Sequence, residues 1–348
     1  MCNIAGYAGK NNAAPILIEM LRRQQHFDGA GSAGIATIYN GKIYSRKVIG
    51  DVDTLVKTTD ALYLPGTVGI AHTRPTGIPQ QWGFAHPFLS CDETMAGMTN
   101  GSTAGIPEYA DKAQAATEFL EAQGYVFRAE EFLPRCTFPR LKSGAFVSCV
   151  ETRTNMVHYY VSQGMSIPEA MSKVASTLYA DNVLGIISLK TPDRFYINRT
   201  TRPAATITTE DGTYVATSEI AFPDDIDVPV GHLPVMYPCE ITADGVTVHE
   251  EYKMSGCDEV YPVSDESFEE GYKRISAMLL GKKDAPLDFD DLERAVGRDM
   301  RDLFVEGQRI VQDAEIVYRA LYRIYKEGRL NRTVAPNKNG VNRYYMWI

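Results

Sequence analysis

Met1-Cys2-Asn3-Ile4-Ala5-Gly6-Tyr7-Ala8-Gly9 places a cysteine directly after the initiator methionine and follows it with alternating small and apolar residues, the pattern of a buried strand. Removal of Met1, common when the second residue is small, would leave Cys2 carrying a thiol and a free α-amine on the same residue. A thiol titrates near about 8.5 and an α-amine near about 7.7 to 8.0, so at neutral pH the amine can act as base to the sulfur, directly or through a water. No histidine has to be recruited. The strand pattern matters because a terminus frays unless it is tied into a sheet.

The rest of the composition narrows the class. A chain of 348 residues can form one large domain plus an appendage, or two domains, with a substantial core. Hydrophobic content of 44% and charged content of 23% are those of a soluble globular protein. A formal net charge of -9 argues against a general nucleic-acid or membrane-surface binder. No run approaches the roughly 18 apolar residues of a membrane span, and the N-terminus lacks the charged-then-apolar order of a secretory signal, so a cytoplasmic location is expected. Cys2, Cys91, Cys136, Cys149, Cys239 and Cys257 form no C-x-x-C pair, so neither a zinc site nor a disulfide framework is signalled. No cofactor is called for.

Outward from the first strand, residues 15–23 read as a short helix, with Ile16, Leu17, Met20 and Leu21 on one face. Asp28-Gly29-Ala30-Gly31-Ser32-Ala33-Gly34 formally contains G-x-G-x-x-G. A dinucleotide fingerprint needs a strand before it and a helix after it, and here the order is reversed. Asn40-Gly41 predicts a type I′ hairpin turn. The strand at 67–72 ends in Thr73-Arg74-Pro75-Thr76-Gly77, and the one at 94–99 runs into Asn100-Gly101. Arg74 offers a planar fork that takes a carboxylate bidentately. Asn100 and Gly101 offer a side-chain amide and an unhindered backbone N–H, the two donor types of an oxyanion hole. Singly, each has an ordinary reading too: Arg74 as a surface ion pair, Asn100-Gly101 as another hairpin turn. Helices are expected at 107–124, 155–161 and 168–179, an irregular insertion at 126–150, and short strands between 184 and 248. A polar stretch at 254–265 suits a boundary. Beyond it, 268–280 and a continuous run at 290–327 read as helical, and the basic tail from 331 carries an aromatic end. The acidic whole argues against DNA binding by that tail.

Together these segments resemble the class II glutamine amidotransferases of the N-terminal-nucleophile hydrolase superfamily, especially the glutaminase domain of glucosamine 6-phosphate synthase. Cys2-Asn3-Ile4-Ala5-Gly6-Tyr7-Ala8-Gly9 is similar to C-G-I-x-G-Y-x-G, Ser32-Ala33-Gly34-Ile35-Ala36 to S-A-G-I-A, and Gly69-Ile70-Ala71-His72-Thr73-Arg74 to G-I-G-H-T-R. Ala85-His86-Pro87, Thr99-Asn100-Gly101, Pro192-Asp193-Arg194 and Ala216-Thr217-Ser218-Glu219 continue the series in order. The resemblance implies an α+β fold, a four-layer α-β-β-α sandwich, over residues 2–253, with a mostly helical C-terminal extension over 266–348. It implies Cys2 as nucleophile, Asn100 and the Gly101 N–H as oxyanion donors, and Arg74, Thr76 and His86 as substrate contacts.

Three departures stand out. Pro75 replaces the family's aromatic residue, and the segment after it is shorter. Glu151-Thr152-Arg153-Thr154 resembles E-T-D-T, whose aspartate pairs with the α-ammonium of glutamine, but places Arg153 there. A guanidinium facing an ammonium within about 4 Å would cost of order 1 to 4 kcal/mol; Glu130 or Glu131 is then an alternative partner. Third, the C-terminal region is too short for the synthase's sugar-phosphate domains. The function expected is a stand-alone amidohydrolase releasing ammonia from glutamine or a glutamine-like amide through a Cys2 thioester. The alternatives are a hydrolase of an amide lacking a free α-ammonium and a weakly active regulatory or partner-binding module. Macromolecular partners left open are a separate ammonia-accepting synthase subunit and a second copy of the chain, with no nucleic acid and no membrane.

Overall fold

A computed structural model describes the chain except residues 1, 26, 76–80, 103–108, 179, 225–227, 255–259, 309 and 337–341. The elements run β1 (Asn3–Gly9), α1 (Ala13–Gln24), β2 (Ser32–Tyr39), β3 (Lys42–Ile49), α2 (Val52–Thr58), β4 (Val68–Arg74), β5 (Phe88–Leu89) and β6 (Met95–Ser102). Then come α3 (Tyr109–Ala122), α4 (Cys149–Ser162), α5 (Ile167–Thr177), β7 (Asp181–Ser188), β8 (Phe195–Arg199), β9 (Ala205–Thr209) and β10 (Gly212–Ala216). The chain continues through β11 (Gly231–His232), β12 (Pro238–Thr242), β13 (Gly245–Val248), α6 (Asp265–Leu279), β14 (Leu287–Asp288), α7 (Phe289–Asp299), α8 (Asp313–Lys326), β15 (Asn331–Pro336) and β16 (Asn342–Trp347). Among these described residues, no helix is long and apolar enough to cross a membrane.

The class is α+β. One sheet has the order β11-β9-β10-β1-β4-β2-β3 and a second the order β13-β12-β8-β7-β6-β5. The pairings within both are antiparallel. β1 lies mid-sheet and is buried along nearly its whole length. Its period of two explains why. Ala5 and Tyr7 pack under α1 and α2, whereas Ile4 and Ala8 face Ala96 and Met98 of β6 and Phe195 of β8 across the gap between the sheets. On the outer face of the second sheet, Leu184 and Ile186 of β7 pack against Val157 of α4 and Met171 of α5. The small residues in β1 are a packing requirement: a Cβ on Gly6 would come within 2.6 Å of the Phe195 ring.

The Asn40-Gly41 turn behaves as the dipeptide predicts, with φ positive at both residues. Asn100-Gly101 does not turn; both residues lie inside β6, paired with Val183 and Asn182 of β7. The expected helix at 155–161 begins earlier, at Cys149, because the Ser148 hydroxyl accepts from the Val150 N–H and caps it.

The C-terminal region, expected to be mostly helical, contains strands as well as helices. The continuous run at 290–327 is broken after Met300, and Gly307 takes a left-handed φ of 83° before α8 begins. Tail residues rich in β-branched and aromatic side chains, among them Thr333, Val334, Tyr344 and Tyr345, form an antiparallel β15–β16 pair joined by β14. This region packs on the preceding domain. Phe27 and Ile220 are buried in one cluster with Phe289, Ile316 and Tyr318, and burying two such side chains contributes roughly 3 to 6 kcal/mol.

Candidate active site

The β1–β4 register pairs Asn3 with Thr73 and Ile4 with His72. One further step sets Cys2 opposite Arg74, both on the face turned toward the second sheet. Asn100, two residues beyond Met98, faces the same gap from β6. The link between sheets is Thr217, immediately after β10. Its hydroxyl accepts from the Ile4 N–H at 2.8 Å and from Asn100 Nδ2 at 3.3 Å, so the amide sits two residues along the strand from Cys2.

Other contacts hold the start of β1. Asn3 Nδ2 donates to the Asp28 carbonyl at 2.7 Å, and the Tyr318 hydroxyl of α8 lies 3.2 Å from Asn3 Oδ1 and 3.4 Å from the Cys2 carbonyl oxygen. Burial pushes the Cys2 thiol up, with the nearby N-terminal ammonium, Arg74 and Arg202 opposing it and Asp28 adding to it. The sulfur therefore rests as a thiol and needs a base to become a nucleophile. Arg74 is 8% exposed, and its Nη1 has no hydrogen-bond partner; among the described residues no carboxylate pairs with it. A buried guanidinium edge left open beside a cysteine thiol is suited to a carboxylate from outside the chain.

His86 is buried against His72 with ring centroids 3.8 Å apart, and its Nδ1 accepts from the Thr99 N–H at 3.2 Å, next to Asn100. Burial pulls His72 down to about 3, with the Arg74 charge adding, and lowers His86 as well. Both rings are neutral in the fold. An unfolded histidine titrates near about 6.5, so below that pH the unfolded chain binds more protons and stability rises with pH. The contribution of His72 is full above the unfolded value and is lost as pH falls through about 3. Denaturant midpoints at about pH 7.5 and about pH 4.5 should therefore differ more in wild type than in His72→Phe. Equal differences in the two proteins would show that His72 is not held neutral.

Arg153 does not join this group. α4 begins at Cys149, so Arg153 lies one turn inside the helix, where a guanidinium nitrogen donates to the Leu178 carbonyl after α5 and the group sits 5.1 Å from the centre of the Tyr109 ring. It lines a cavity of about 10 Å³ with Leu178, Asn182 and Asn198, room for at most one water. Its guanidinium is thus engaged by the fold beside Asn182, the β7 partner of Gly101. Of the proposed alternatives, Glu131 accepts from the Gly83 N–H at 2.6 Å. Thr76 lies outside the described residues. A separate cleft of about 310 Å³ at the opposite end of β4, lined by Asn12, Tyr39 and Pro192, offers no cysteine, histidine or carboxylate.

Thr217 and Tyr318 had no role in the sequence. Thr217 falls inside a family-like motif, but nothing in that motif says that its hydroxyl spans the sheets. Tyr318 reads as one of several tyrosines on a helix.

No family model matches the chain. A glutamine–fructose-6-phosphate aminotransferase (isomerizing) of Pyrococcus horikoshii is 31% identical over 209 residues, which covers 58% of this chain and 30% of that relative. The protein of the same name from Clostridium acetobutylicum is 31% identical over 218 residues, covering 62% of this chain and 31% of the relative. The chain is a relative of the class II glutamine amidotransferases. The match spans about a third of the length of these curated amidotransferase relatives. Among solved structures, the glutamine phosphoribosylpyrophosphate amidotransferase of B. subtilis, complexed with ADP and GMP, aligns over 98% of this chain and 68% of that one, with a TM-score of 0.58 and 15% identity. A structure described as the allosteric regulatory enzyme of purine biosynthesis aligns over the same shares at 0.59 and 17%. At those identities the likeness is one of fold, and it extends beyond the residues matched in sequence.

Proposed function

We propose that this chain hydrolyses the side-chain amide of glutamine, with Cys2 as nucleophile, once Met1 has been removed. The observation that carries the reading is the convergence of three groups. Cys2 and Arg74 lie side by side on one sheet, and Asn100 is tied to the same place from the other sheet through Thr217. The helix–sheet–sheet–helix layering suits the N-terminal-nucleophile hydrolase type.

In this reading Arg74 Nη1 takes the substrate α-carboxylate. The Cys2 α-amine accepts the thiol proton as sulfur bonds to the amide carbon, and the electron pair of the carbonyl moves onto oxygen. The second N–H of Asn100 Nδ2 and the Gly101 N–H hold that oxyanion. Collapse breaks the carbon–nitrogen bond, ammonia leaves with the proton held by the amine, and a thioester remains. Water adds to it, glutamate departs, and the thiol is restored. The bond from Arg153 to the Leu178 carbonyl supports a substrate that keeps its α-ammonium, because that guanidinium is already engaged within the chain. Ammonia would be released or passed to an acceptor.

Mass spectrometry of the purified chain treated with a thiol-reactive glutamine analogue tests this. Met1 should be absent and Cys2 labelled, with glutamine competing. Asn100→Ala should lower kcat for glutamine by about 10² to 10³ while leaving the fold intact. A retained Met1, or labelling that glutamine does not slow, removes the proposal.

A further inference from the structure

Far along α4 from its Cys149 start, a tight turn joining β5 to β6 meets the helix and brings together three donor atoms of different chemistry. Cys91 Sγ, a carboxylate oxygen of Asp92 and a ring nitrogen of His158 all lie within 4.8 Å of one another, and His158 Nε2 is 2.9 Å from Asp92 Oδ2. We propose that Cys91, Asp92 and His158 bind a divalent transition-metal ion of the zinc class.

The surroundings of the three residues carry the argument further than their proximity does. Asp92 Oδ1 accepts from Ser90 Oγ at 2.8 Å, from Thr94 Oγ1 at 2.8 Å and from the Thr94 N–H at 3.1 Å, which saturates that oxygen and leaves Oδ2 directed at His158. His158 Nδ1 is 2.8 Å from the Tyr125 hydroxyl. With a metal in place of the proton between Nε2 and Asp92, Nδ1 donates to Tyr125 and the Nε2 lone pair meets the ion. A second partner on the far nitrogen of a ligating histidine is the usual way its tautomer and ring plane are set. Cys91 is clamped through its backbone: its N–H donates to Asn155 Oδ1 at 2.9 Å, and its carbonyl accepts from Arg128 Nη2 at 2.7 Å. Asn155 and His158 are three residues apart, so one face of α4 both fixes the cysteine and supplies the imidazole.

A cysteine–histidine nucleophile is excluded by the same contacts. Both imidazole nitrogens are engaged, by Asp92 and Tyr125, and neither is left to take the Cys91 proton. A metal ion instead replaces whatever proton lies between Nε2 and Oδ2, and binding releases the thiol proton of Cys91. Charge agrees. Arg128 is paired with Glu93 at 2.9 Å, so a Cys91 thiolate and the Asp92 carboxylate leave two negative charges for a dication. Three protein ligands leave one position of a tetrahedral ion to solvent. The spacing was silent because the cysteine and the histidine are 67 positions apart and share no local motif.

Titrating the full-length Cys2→Ala chain with Co²⁺, then displacing it with Zn²⁺, tests the site without the other reactive thiol. One equivalent should bind and give a thiolate-to-metal charge-transfer band that Zn²⁺ removes. Cys91→Ser should abolish the band, and His158→Gln should weaken binding at least about 100-fold, with Tyr125→Phe costing about 10- to 100-fold. Absence of the band in the parent, or Co²⁺ binding by Cys91→Ser or His158→Gln as tight as the parent's, overturns the site. Circular dichroism establishes that each variant is folded, and His158→Gln alone decides the matter should Cys91→Ser not fold.

Discussion

Replacing Cys2 by alanine is expected to lower glutamine hydrolysis by roughly 10⁴-fold or more, because nucleophile, base and oxyanion donors act as a unit and removal of the attacking atom leaves only binding and polarisation. The substitution deletes one sulfur at the edge of β1 and leaves Asn3, Ile4 and their partners in place, so the protein should fold and still bind glutamine. Ammonia release at steady state and glutamine binding by calorimetry separate the two effects. Activity within tenfold of wild type would end the N-terminal-nucleophile account.

Arg199→Met should produce the largest loss of stability. Arg199 is among the largest fully buried side chains, and it joins the domain to the C-terminal region: it donates to the Leu233 carbonyl at 2.9 Å, to Gln312 Oε1 at 2.5 Å, and to the Glu315 carboxylate of α8. Without it, the nearly buried Glu315 keeps, among the described residues, Arg319 at 3.6 Å as ion-pair partner, with His232 nearby. Breaking a buried pair by removing one member costs about 3 to 5 kcal/mol, because an uncompensated charge stays inside. Methionine keeps most of the volume, so the loss reports charge more than cavity. Denaturant unfolding should show it, and adding Glu315→Leu should recover a large part. A change below about 1 kcal/mol would mean that α8 releases Glu315 to water. That outcome would also show the C-terminal region to be loosely docked.

The C-terminal region holds Cys2 as well as packing beside it. Tyr318 reaches the Cys2 carbonyl and Asn3, and Arg202, whose charge acts on Cys2, is paired with Glu293 of α7. The strand that presents Cys2 is therefore fastened partly by residues about three hundred positions downstream.

What the sequence determined by itself was periodic or local. Alternation in Ile4, Gly6 and Ala8 set which face of β1 meets the second sheet, Asn40-Gly41 set a turn, and the order of the motifs around Cys2, Arg74, His86 and Asn100 named the group that converges. Local sterics and a fixed side-chain period decide such features within a few residues. The Leu178 contact of Arg153, the break in the long helical run, the strands of the tail, and the Thr217, Tyr318 and Arg199 contacts were settled by packing alone. Each depends on a partner far along the chain, and one-dimensional spacing carries no record of which distant surface will desolvate a side chain and satisfy its hydrogen bonds.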